Sequence, residues 1–375
     1  MISNRFAAAI IAVGVTVFAF PVAADDLTDA YQRVLANPAD SDLSLNYALI
    51  AEGRHEYRKA LSAYERVLLN DPQNADAKRG IVRIRRIIQP ASTQFFAEAG
   101  GMWRSNPELV ASGATNDYVP YAQLRVKDER PIFGTRWRSI GSLYGEYFTD
   151  HHDLNYGNAT AETGPLIDLG ATMLTLYPSI GAALSYSANK FFYSEVNASA
   201  MLEGYLNGAY QWLRIRTGYR DFAPSATSTS GWYVEARGQW AVQNIFNSNG
   251  LGSISPWARW SDVGGSLVNT SSQTFAPGRY IDGGATFSYS KRLGDRWTLA
   301  LNLALSARRY QIDLAPDGDK RLDYTVSPGA ALAFNNAFGP QSDFRMTYRF
   351  DHNTSNDASH SYDAHTVMAA AVFRR

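Results

Sequence analysis

Apolar and polar residues alternate along one stretch of this chain so that they define two opposite faces. In WTLALNLALSARRY the odd positions from Trp297 to Leu305 carry tryptophan and leucine, whereas the even positions include threonine, asparagine, serine and Arg308. Successive strand side chains point to opposite faces, so this alternation predicts a β-strand rather than a helix. Such a strand separates an apolar phase from a polar one, and the apolar phase is either a protein core or a lipid bilayer.

The same alternation continues over most of the chain after residue 90. The predicted strands are about twice as long as those of soluble sandwiches, and their length suits tilted transmembrane strands. Short turns such as LNG at Leu206 alternate with long polar loops such as APSATSTSG at Ala223, as in outer-membrane barrels. The strand-like runs begin near Gln94, Tyr118, Thr135, Leu154, Met173, Phe192, Ala209, Trp232, Leu251, Tyr280, Trp297, Leu322, Phe344 and Tyr362.

These runs predict a mostly β fold, namely a closed antiparallel transmembrane β-barrel of about 14 strands, with a range of about 12 to 16. The leucine face of the Trp297 strand then meets lipid, and its polar face meets a wet lumen. Pro178 and Pro328 fall inside predicted strands. Each proline removes one ladder hydrogen bond there, which indicates a bulge or a misplaced boundary.

Two features at the edges of the apolar face favour a membrane. The terminal stretch HTVMAAAVFRR places Val367, Ala369, Ala371 and Phe373 on one face and resembles the insertion signal of bacterial outer-membrane proteins. We therefore expect outer-membrane lipid and the barrel-insertion machinery as partners. Aromatic residues near the strand ends predict interfacial girdles, formed by Tyr219, Trp232, Trp240, Tyr289, Trp297 and Phe373.

The first 24 residues predict export. Arg5 precedes the apolar run FAAAIIAVGVTVFAF, and small residues at Val22 and Ala24 follow Pro21, a pattern typical of a signal peptide cut before Asp25. A membrane anchor is the alternative, although the run is shorter than the roughly 20 residues of a spanning helix. The chain has no cysteine, which suits an oxidising compartment. We predict a Gram-negative outer-membrane protein with residues 25–90 in the periplasm.

Residues 25–90 carry a helical repeat. AYQRVLANPAD at Ala30 recurs as AYERVLLNDPQ at Ala63, and Pro38 and Pro72 lie 34 residues apart, which resembles tetratricopeptide repeats. One full repeat is present, fewer than the three or so that a solenoid needs, so the module is interpreted as a docking platform or as a plug. Its last helix, NADAKRGIVRIRRII, presents either a solvated basic face or an anion contact. The predicted packing residues are Tyr47, Ala48, Ala60, Tyr64 and Pro72.

Charge adds a prediction for the lumen of the barrel, residues 91–375. The chain has 35 basic and 35 acidic residues, so it has no basic excess that would indicate nucleic acid. Mixed signs on neighbouring strands favour cross-strand ion pairs, and a basic constriction that selects anions is the alternative. Barrels of about 14 strands lie between filled and open ones. By alternation the inward charges are Arg125, Lys127, Arg136, Arg138, Glu146, Glu195, Glu203, Arg214, Arg216, Arg220, Glu235, Arg237, Arg308, Arg345 and Arg349.

Candidate chemistry is confined to the outer loops. The residues considered for catalysis are His151, His152, His360 and His365, with Ser359, Ser361 and Asp363 beside the last pair. None belongs to a nucleophile motif, so we predict no enzyme activity, no catalytic residue and no cofactor. The loop APDGDKRLD brings together Asp317, Asp319 and Asp323, but its spacing is not that of a calcium loop. We therefore predict no metal site.

The whole mature chain resembles one family in its architecture. A signal peptide, tetratricopeptide-like helices and a barrel of about 14 strands are typical of the surface lipoprotein assembly modifier (Slam) family, and GGMWRSNP at Gly100 resembles the segment that opens its barrel. The resemblance implies an outer-membrane barrel that assists translocation or surface display of a protein or lipoprotein client docked on residues 25–90. The alternatives are a polysaccharide-export or diffusion pore and a non-transporting scaffold.

Overall fold

A computed structural model describes residues 25–88, 91–132, 135–169, 174–206, 209–224, 229–245, 250–264 and 278–375. The chain divides into two compact units, Met1–Ile88 and Gln89–Arg375. The predicted signal peptide, residues 1–24, lies outside the described residues. The division falls two residues before the one predicted from the sequence.

The described part of the first unit is a row of four helices, each packed on the next: α1 (Asp25–Ala36), α2 (Ser41–Gly53), α3 (Tyr57–Asn70) and α4 (Ala75–Ile88). Asp40 caps α2, since its carboxylate accepts hydrogen bonds from the N–H groups of Asp42 and Leu43 at 2.9 and 3.1 Å. No helix in the described residues is long and apolar enough to cross a membrane. The core is built from Val34, Tyr47, Ala48, Ala60, Tyr64, Val67 and Ile84.

The described part of the second unit is one antiparallel sheet that closes on itself. The first strand pairs with the last, and the fourth strand also pairs with the sixth, so the predicted closed barrel is confirmed. The strands are β1 (Ser92–Arg104), β2 (Asp117–Ile132), β3 (Thr135–Glu146), β4 (Tyr156–Pro165), β5 (Ile167–Asp168), β6 (Leu174–Ser187), β7 (Lys190–Leu206), β8 (Ala209–Phe222), β9 (Gly231–Ile245), β10 (Gly250–Val263), β11 (Gly278–Leu293), β12 (Trp297–Leu314), β13 (Lys320–Asn335), β14 (Ser342–Ser355) and β15 (Tyr362–Arg374).

The two-residue β5 continues β4 along the same neighbour, β6, so the fifteen described strands occupy fourteen positions around the barrel. The registers Thr163↔Ile180 and Ile167↔Leu176 belong to one continuous ladder and place Pro165 opposite Pro178. The strand is interrupted here because neither proline has an N–H to donate.

The expectation of a bulge or a misplaced boundary at the two strand prolines is wrong. Pro178 lies inside β6 and pairs with Ala200 of β7 without a register shift at that point. Pro328 lies inside β13 opposite Leu303 of β12, and the ladder between β13 and β14 keeps its register on both sides of it. Each proline therefore costs ladder hydrogen bonds without displacing the strand.

The two ends of the barrel differ in their connections. At the turn end, where β1 begins and β15 ends, the connections have two to six residues: 133–134, 169–173, 207–208, 246–249, 294–296 and 336–341. At the loop end they have five to fourteen residues, in 105–116, 147–155, 223–230, 264–277, 315–319 and 356–361. The exception is the two-residue link 188–189 between β6 and β7. Short periplasmic turns and long external loops are the pattern of outer-membrane barrels.

The outer surface of the barrel is apolar and the inner surface is charged. Ile180 and Val196 on the outside are 68% and 65% exposed, whereas Asp282 on the inside is 3% exposed. On β12 the exposed residues include Leu301, Leu303 and Leu305, the face predicted to meet lipid. A soluble barrel has the opposite distribution. An apolar exterior around a polar interior is that of a barrel solvated by lipid.

Candidate functional site

All fifteen charged residues predicted to face the lumen lie on the inner face of their strands. Outward apolar residues alternate with them along the chain, for example Leu213 and Ile215 around Arg214 and Arg216. The inward position of most of these charges follows from the energetic cost of an arginine on the lipid face, about 2–4 kcal/mol at mid-bilayer.

The loop-end half of the inner wall carries a continuous row of alternating charges, which we name the lumen belt. It consists of Glu195, Arg220, Glu235, Arg259, Asp282 and Arg308 on the successive strands β7 to β12. Arg220 Nε lies 2.8 Å from Glu195, and Arg259 Nη2 lies 2.6 Å from Asp282. Arg308 Nη2 approaches the same Asp282 carboxylate at 3.0 Å. These ion pairs fix β7 to β8 and β10 to β11 and β12 from inside the barrel.

Tyrosine rings fill the spaces between the charges of the lumen belt. The guanidinium carbons of Arg220 and Arg308 lie 4.3 Å from the ring centroids of Tyr193 and Tyr280, respectively. Tyr233 donates its hydroxyl to Glu195 at 2.6 Å. Cation–π contacts in desolvated sites are worth about 2 kcal/mol. The rings and the ion pairs together make this wall a packed polar layer.

Two ion pairs near the turn end join strands that are not neighbours in the sheet. Arg138 on β3 contacts Glu203 on β7 through two hydrogen bonds of 2.6 and 2.9 Å. Arg214 on β8 lies 3.8 Å from Glu162 on β4. Both pairs pass over β6, so they span a part of the lumen and narrow it on this side.

A cavity of about 820 Å³ lies in the turn-end part of the barrel, and we name it the mouth cavity. Among the described residues, Arg125 on its wall makes no hydrogen bond or ion pair, whereas Arg345 pairs with Glu98. Tyr121 also donates to Glu98, at 2.6 Å. The charged residues around the cavity are Glu98, Arg125, Lys127, Arg345, Arg374 and Arg375. This excess of positive charge would attract anions.

Sequence reasoning missed the centre of the lumen belt. Arg259 and Asp282 form its bidentate pair, and neither was among the predicted lumen residues. The sequence contains a signal for Arg259: it lies between Ala258 and Trp260 in an alternating run, and this alternation predicts an inward side chain. Glu98, the acid of the mouth cavity, lies in the glycine-rich β1, where apolar alternation is weak.

The predicted girdle residues lie at the two ends of the outer face. Tyr219 and Trp232 contact each other near the loop end, with ring centroids 5.2 Å apart. Trp297 packs on Phe334 at the turn end with centroids 4.9 Å apart, and Phe373 lies there beside Phe338. Trp240 and Tyr289 lie toward the same end of their strands. Amphipathic rings at two levels suit the two interfaces of a membrane.

The helical unit packs around the residues predicted from the repeat. Ala48, Ala60 and Tyr64 are fully buried, and Tyr47 is nearly so. Pro72 lies in the turn between α3 and α4. The ring of Tyr64 lies against Gly80, where a Cβ would come within 2.5 Å of it. The small residues thus allow close contact between helices.

One ionic contact in the helical unit joins three helices. Glu52 of α2 accepts hydrogen bonds from Arg83 of α4 at 2.6 Å and from the Tyr64 hydroxyl of α3 at 2.7 Å. Burial alone would raise the pKa of Glu52, but the hydrogen bonds from Arg83 and Tyr64 outweigh it and lower that pKa. The same carboxylate raises the pKa of Arg83. The carboxylate is therefore charged in the folded unit at neutral pH.

The basic face of α4 is partly neutralised within the unit. Arg83 pairs with Glu52, Arg79 pairs with Asp76, and Arg85 Nη2 lies 2.9 Å from Glu65. These contacts favour the interpretation of a solvated, paired face over that of a free anion site.

The histidines near the loops make local contacts. His360 Nδ1 lies 2.9 Å from Asp357 and 3.1 Å from Ser359, so acid and hydroxyl share one nitrogen instead of flanking the ring as in a catalytic triad. His152 contacts the Phe148 carbonyl at 2.8 Å. His365 contacts the Tyr348 hydroxyl at 2.9 Å. Ser361 Oγ accepts a hydrogen bond from the Ser355 N–H.

His151 anchors a loop. Its Nδ1 lies 2.9 Å from the buried Asp117, and its Nε2 lies 2.8 Å from the Thr115 hydroxyl. Asp117 also accepts hydrogen bonds from the Thr149 hydroxyl and from backbone N–H groups of 149–151. The carboxylate thus holds this segment onto the start of β2.

The three loop aspartates considered for calcium have separate contacts. Asp317 accepts a hydrogen bond from the Asp319 N–H within the turn, whereas Asp323 pairs with Arg321 at 2.7 Å. Within the described ranges, no group of three or more acidic or histidine side chains is arranged to hold a metal ion.

Comparison with known proteins finds solved structures of similar fold at low sequence identity. No protein-family model and no curated protein matches the chain. A bacterial polysaccharide outer-membrane secretin is 12% identical, with a TM-score of 0.41, over 76% of this chain and 98% of its own. OmpT of Vibrio cholerae is 9% identical, with a TM-score of 0.39, over 76% and 100%. A BenF-like porin from Pseudomonas fluorescens Pf-5 is 9% identical, with a TM-score of 0.38, over 76% and 99%.

All three are outer-membrane barrels, but TM-scores below 0.5 are too low to support an argument about function. The barrel of this chain is defined instead by its own closed ladder and apolar exterior. The resemblance to the Slam family stays a prediction.

Proposed function

We propose that this protein assists translocation or surface display of a protein or lipoprotein client, with the barrel in the outer membrane and residues 25–90 as a periplasmic docking platform. The observation that carries the proposal is a self-contained helical unit with exposed apolar side chains. Leu35, Leu49 and Leu69 are 50%, 52% and 81% exposed on three different helices. Burial of exposed apolar surface favours association with a protein segment.

Chain connectivity supports a periplasmic position for this unit. Residues 89–91 alone separate the end of α4 from the start of β1. The turn end, where β1 begins, is the end that outer-membrane barrels direct to the periplasm. The predicted signal peptide leads to the same compartment. The helices would then meet a client before it reaches the barrel.

The test is deletion of residues 25–88 with the signal peptide retained. We expect the barrel to insert normally, as measured by heat-modifiable migration, while one or more proteins disappear from the surface proteome. Leu69→Asp should reproduce part of that loss, and Arg58→Asp on the same helix is the matched control. An unchanged surface proteome in both the deletion and Leu69→Asp strains would contradict a docking role.

An anion-conducting or polysaccharide-export pore is the second candidate, supported by the mouth cavity. Arg125 faces this cavity without a partner among the described residues. If the barrel conducts, Arg125→Glu should shift the reversal potential in a salt gradient toward cation preference. Arg130→Glu on the outer face of the same strand is the control. Absence of conductance in planar bilayers, with and without residues 25–88, would leave the scaffold hypothesis.

A further inference from the structure

A histidine on the outer surface of the barrel is flanked by an acid and a hydroxyl. His352 of β14 lies directly opposite Asp363 of β15, and its Nδ1 is 2.7 Å from Asp363 Oδ1. Its Nε2 is 3.2 Å from Thr354 Oγ1. The carboxylate can only accept a hydrogen bond, so Nδ1 carries the proton and Nε2 accepts the hydroxyl proton of Thr354. This order of acid, imidazole and hydroxyl is that of nucleophilic hydrolases.

The three side chains line an open cleft of about 630 Å³. The cleft is also lined by the loop segment from Val110 to Ala114, where Gly113 has a positive φ of 72°. Backbone N–H groups of such a loop can stabilise the oxyanion formed when an ester carbonyl is attacked. A hydroxyl and its base therefore face a space that is also lined by the loop segment from Val110 to Ala114.

The second acid–imidazole–hydroxyl arrangement, Asp117–His151–Thr115, differs in its surroundings. Asp117 is fully buried and holds residues 149–151 through several further hydrogen bonds. Neither His151 nor Thr115 is among the residues that line the cleft. The contacts of His151 are accounted for by loop anchoring, whereas those of His352 lie on an open surface.

The position of His352 suits a lipid substrate. It lies three residues before the loop end of β14, on the face that carries Tyr348 and Phe350 nearer the middle of the barrel. Tyr348 is 44% exposed on that face. In a lipid leaflet the ester carbonyls lie between the acyl chains and the head groups. An acyl chain along Tyr348 and Phe350 would thus bring its ester to the level of Thr354.

We propose that Thr354, His352 and Asp363 form an esterase site that cleaves acyl esters of lipids in the outer leaflet. Thr354 Oγ attacks the ester carbonyl carbon while His352 Nε2 takes the hydroxyl proton. The carbon–alkoxide bond then breaks, and the alcohol leaves with that proton. Water, deprotonated by His352, attacks the acyl-threonine and releases a fatty acid and the free hydroxyl. Asp363 orients the imidazole. This activity is independent of the proposed transport function.

The test uses the full-length protein in detergent micelles with p-nitrophenyl dodecanoate as substrate and an alkyl fluorophosphonate as covalent probe. We expect ester hydrolysis and a phosphonate adduct on the peptide that contains Thr354. Thr354→Val keeps the shape of the side chain and should abolish both, whereas Thr354→Ser should retain activity. His352→Gln should abolish hydrolysis, and Asp363→Asn should lower kcat at least a hundredfold.

The controls are two other pairs of a histidine with a serine or threonine hydroxyl, Thr115–His151 and Ser359–His360. Thr115→Val and His360→Gln should leave the rate and the adduct unchanged. Heat-modifiable migration of every variant separates loss of chemistry from loss of the folded barrel. No hydrolysis and no adduct with the folded wild-type protein would overturn the proposal, as would an adduct on Thr115 or full activity in Thr354→Val. Each of these outcomes leaves the transport function untouched.

Discussion

Asp282 is the residue on which the lumen belt depends most. Its carboxylate is almost completely buried and accepts hydrogen bonds from both Arg259 and Arg308. Two arginines and one carboxylate leave a local positive charge, which the neighbouring Glu235 offsets at 3.9 Å from Arg259. A buried ion pair adds little net stability compared with an apolar pair, but removal of one partner is costly.

Asp282→Asn should therefore destabilise the barrel by about 3–5 kcal/mol, because the buried Arg259 and the mostly buried Arg308 lose their shared carboxylate. The measurement is the urea midpoint of unfolding in detergent or lipid vesicles. Asp262→Asn is the control, since its pair with Arg279 is about half exposed and should change stability by less than about 1 kcal/mol. Equal midpoints for the two variants would contradict the central role of Asp282.

The carboxylate of Glu52 gives the helical unit a pH dependence. Its pKa in the folded unit is lower than the ordinary value of 4.5, so its stabilising contribution is complete above that value and is lost as the pH falls through the folded-state pKa. Hydrogen exchange of α2 to α4 in the full-length protein should accelerate over this range. Glu52→Gln should be destabilised by about 2 kcal/mol at neutral pH and should lose most of the acid sensitivity. An unchanged acid profile in Glu52→Gln would contradict this assignment.

At the scale of elements, the contact between α3 and α4 requires a glycine. Gly80→Ala would ordinarily favour a helix by about 1 kcal/mol. Here the added methyl group would lie 2.5 Å from the Tyr64 ring, so we expect a net loss of helix stability. Gly53→Ala, whose methyl group would meet nothing within 4 Å, should be neutral or stabilising. Thermal loss of helical circular dichroism distinguishes the two variants.

The strand β12 offers a direct test of the lipid-facing surface. Leu303→Arg places a charge on the outer face near the middle of the strand and should cost about 2–4 kcal/mol in a bilayer. Asn302→Arg places the same charge on the inner face one residue away and should cost much less. The readout is the folded fraction in lipid vesicles over a urea series. Equal costs would mean that lipid does not solvate the leucine face.

The strand starts were largely predictable because each barrel strand borders two different phases. All predicted starts lie within two residues of the observed ones, for example Gln94 against Ser92 and Phe192 against Lys190. The pairing of Pro165 with Pro178 was not predictable. The sequence of one strand reveals a proline without an N–H, but it does not reveal which residue of the neighbouring strand lies opposite.

At the scale of the whole molecule, the ion pairs depend on strand register and on curvature. Arg345 meets Glu98 across 247 positions of sequence, and Arg138 reaches Glu203 over intervening strands. Alternation predicts that these side chains point inward, but their partners follow only from closure. The His352 cluster does not follow from the sequence alone, because its acid lies on the next strand and only the strand register places Asp363 opposite His352.

Closure of the barrel can be tested at the seam between β1 and β15. Ala99 faces Ala371 in this register, at the spacing that a disulfide spans. Because the chain has no cysteine, Ala99→Cys with Ala371→Cys should form one intramolecular disulfide on mild oxidation and migrate differently without reductant. Ala97→Cys with Val367→Cys lies out of register and is the control. Equal oxidation of both pairs would contradict the seam.

The facing prolines of β4 and β6 also determine which pair of neighbouring strands in the barrel separates most easily. Along most of the barrel, regular ladder hydrogen bonds join neighbouring strands, and lipid penalises any backbone polar group that is left unpaired. Pro165 and Pro178 have no backbone N–H to donate. Separation of β4 from β6 at this point therefore exposes fewer unpaired backbone groups to lipid. Separation of the barrel wall would therefore start beside these two prolines, close to the turn end.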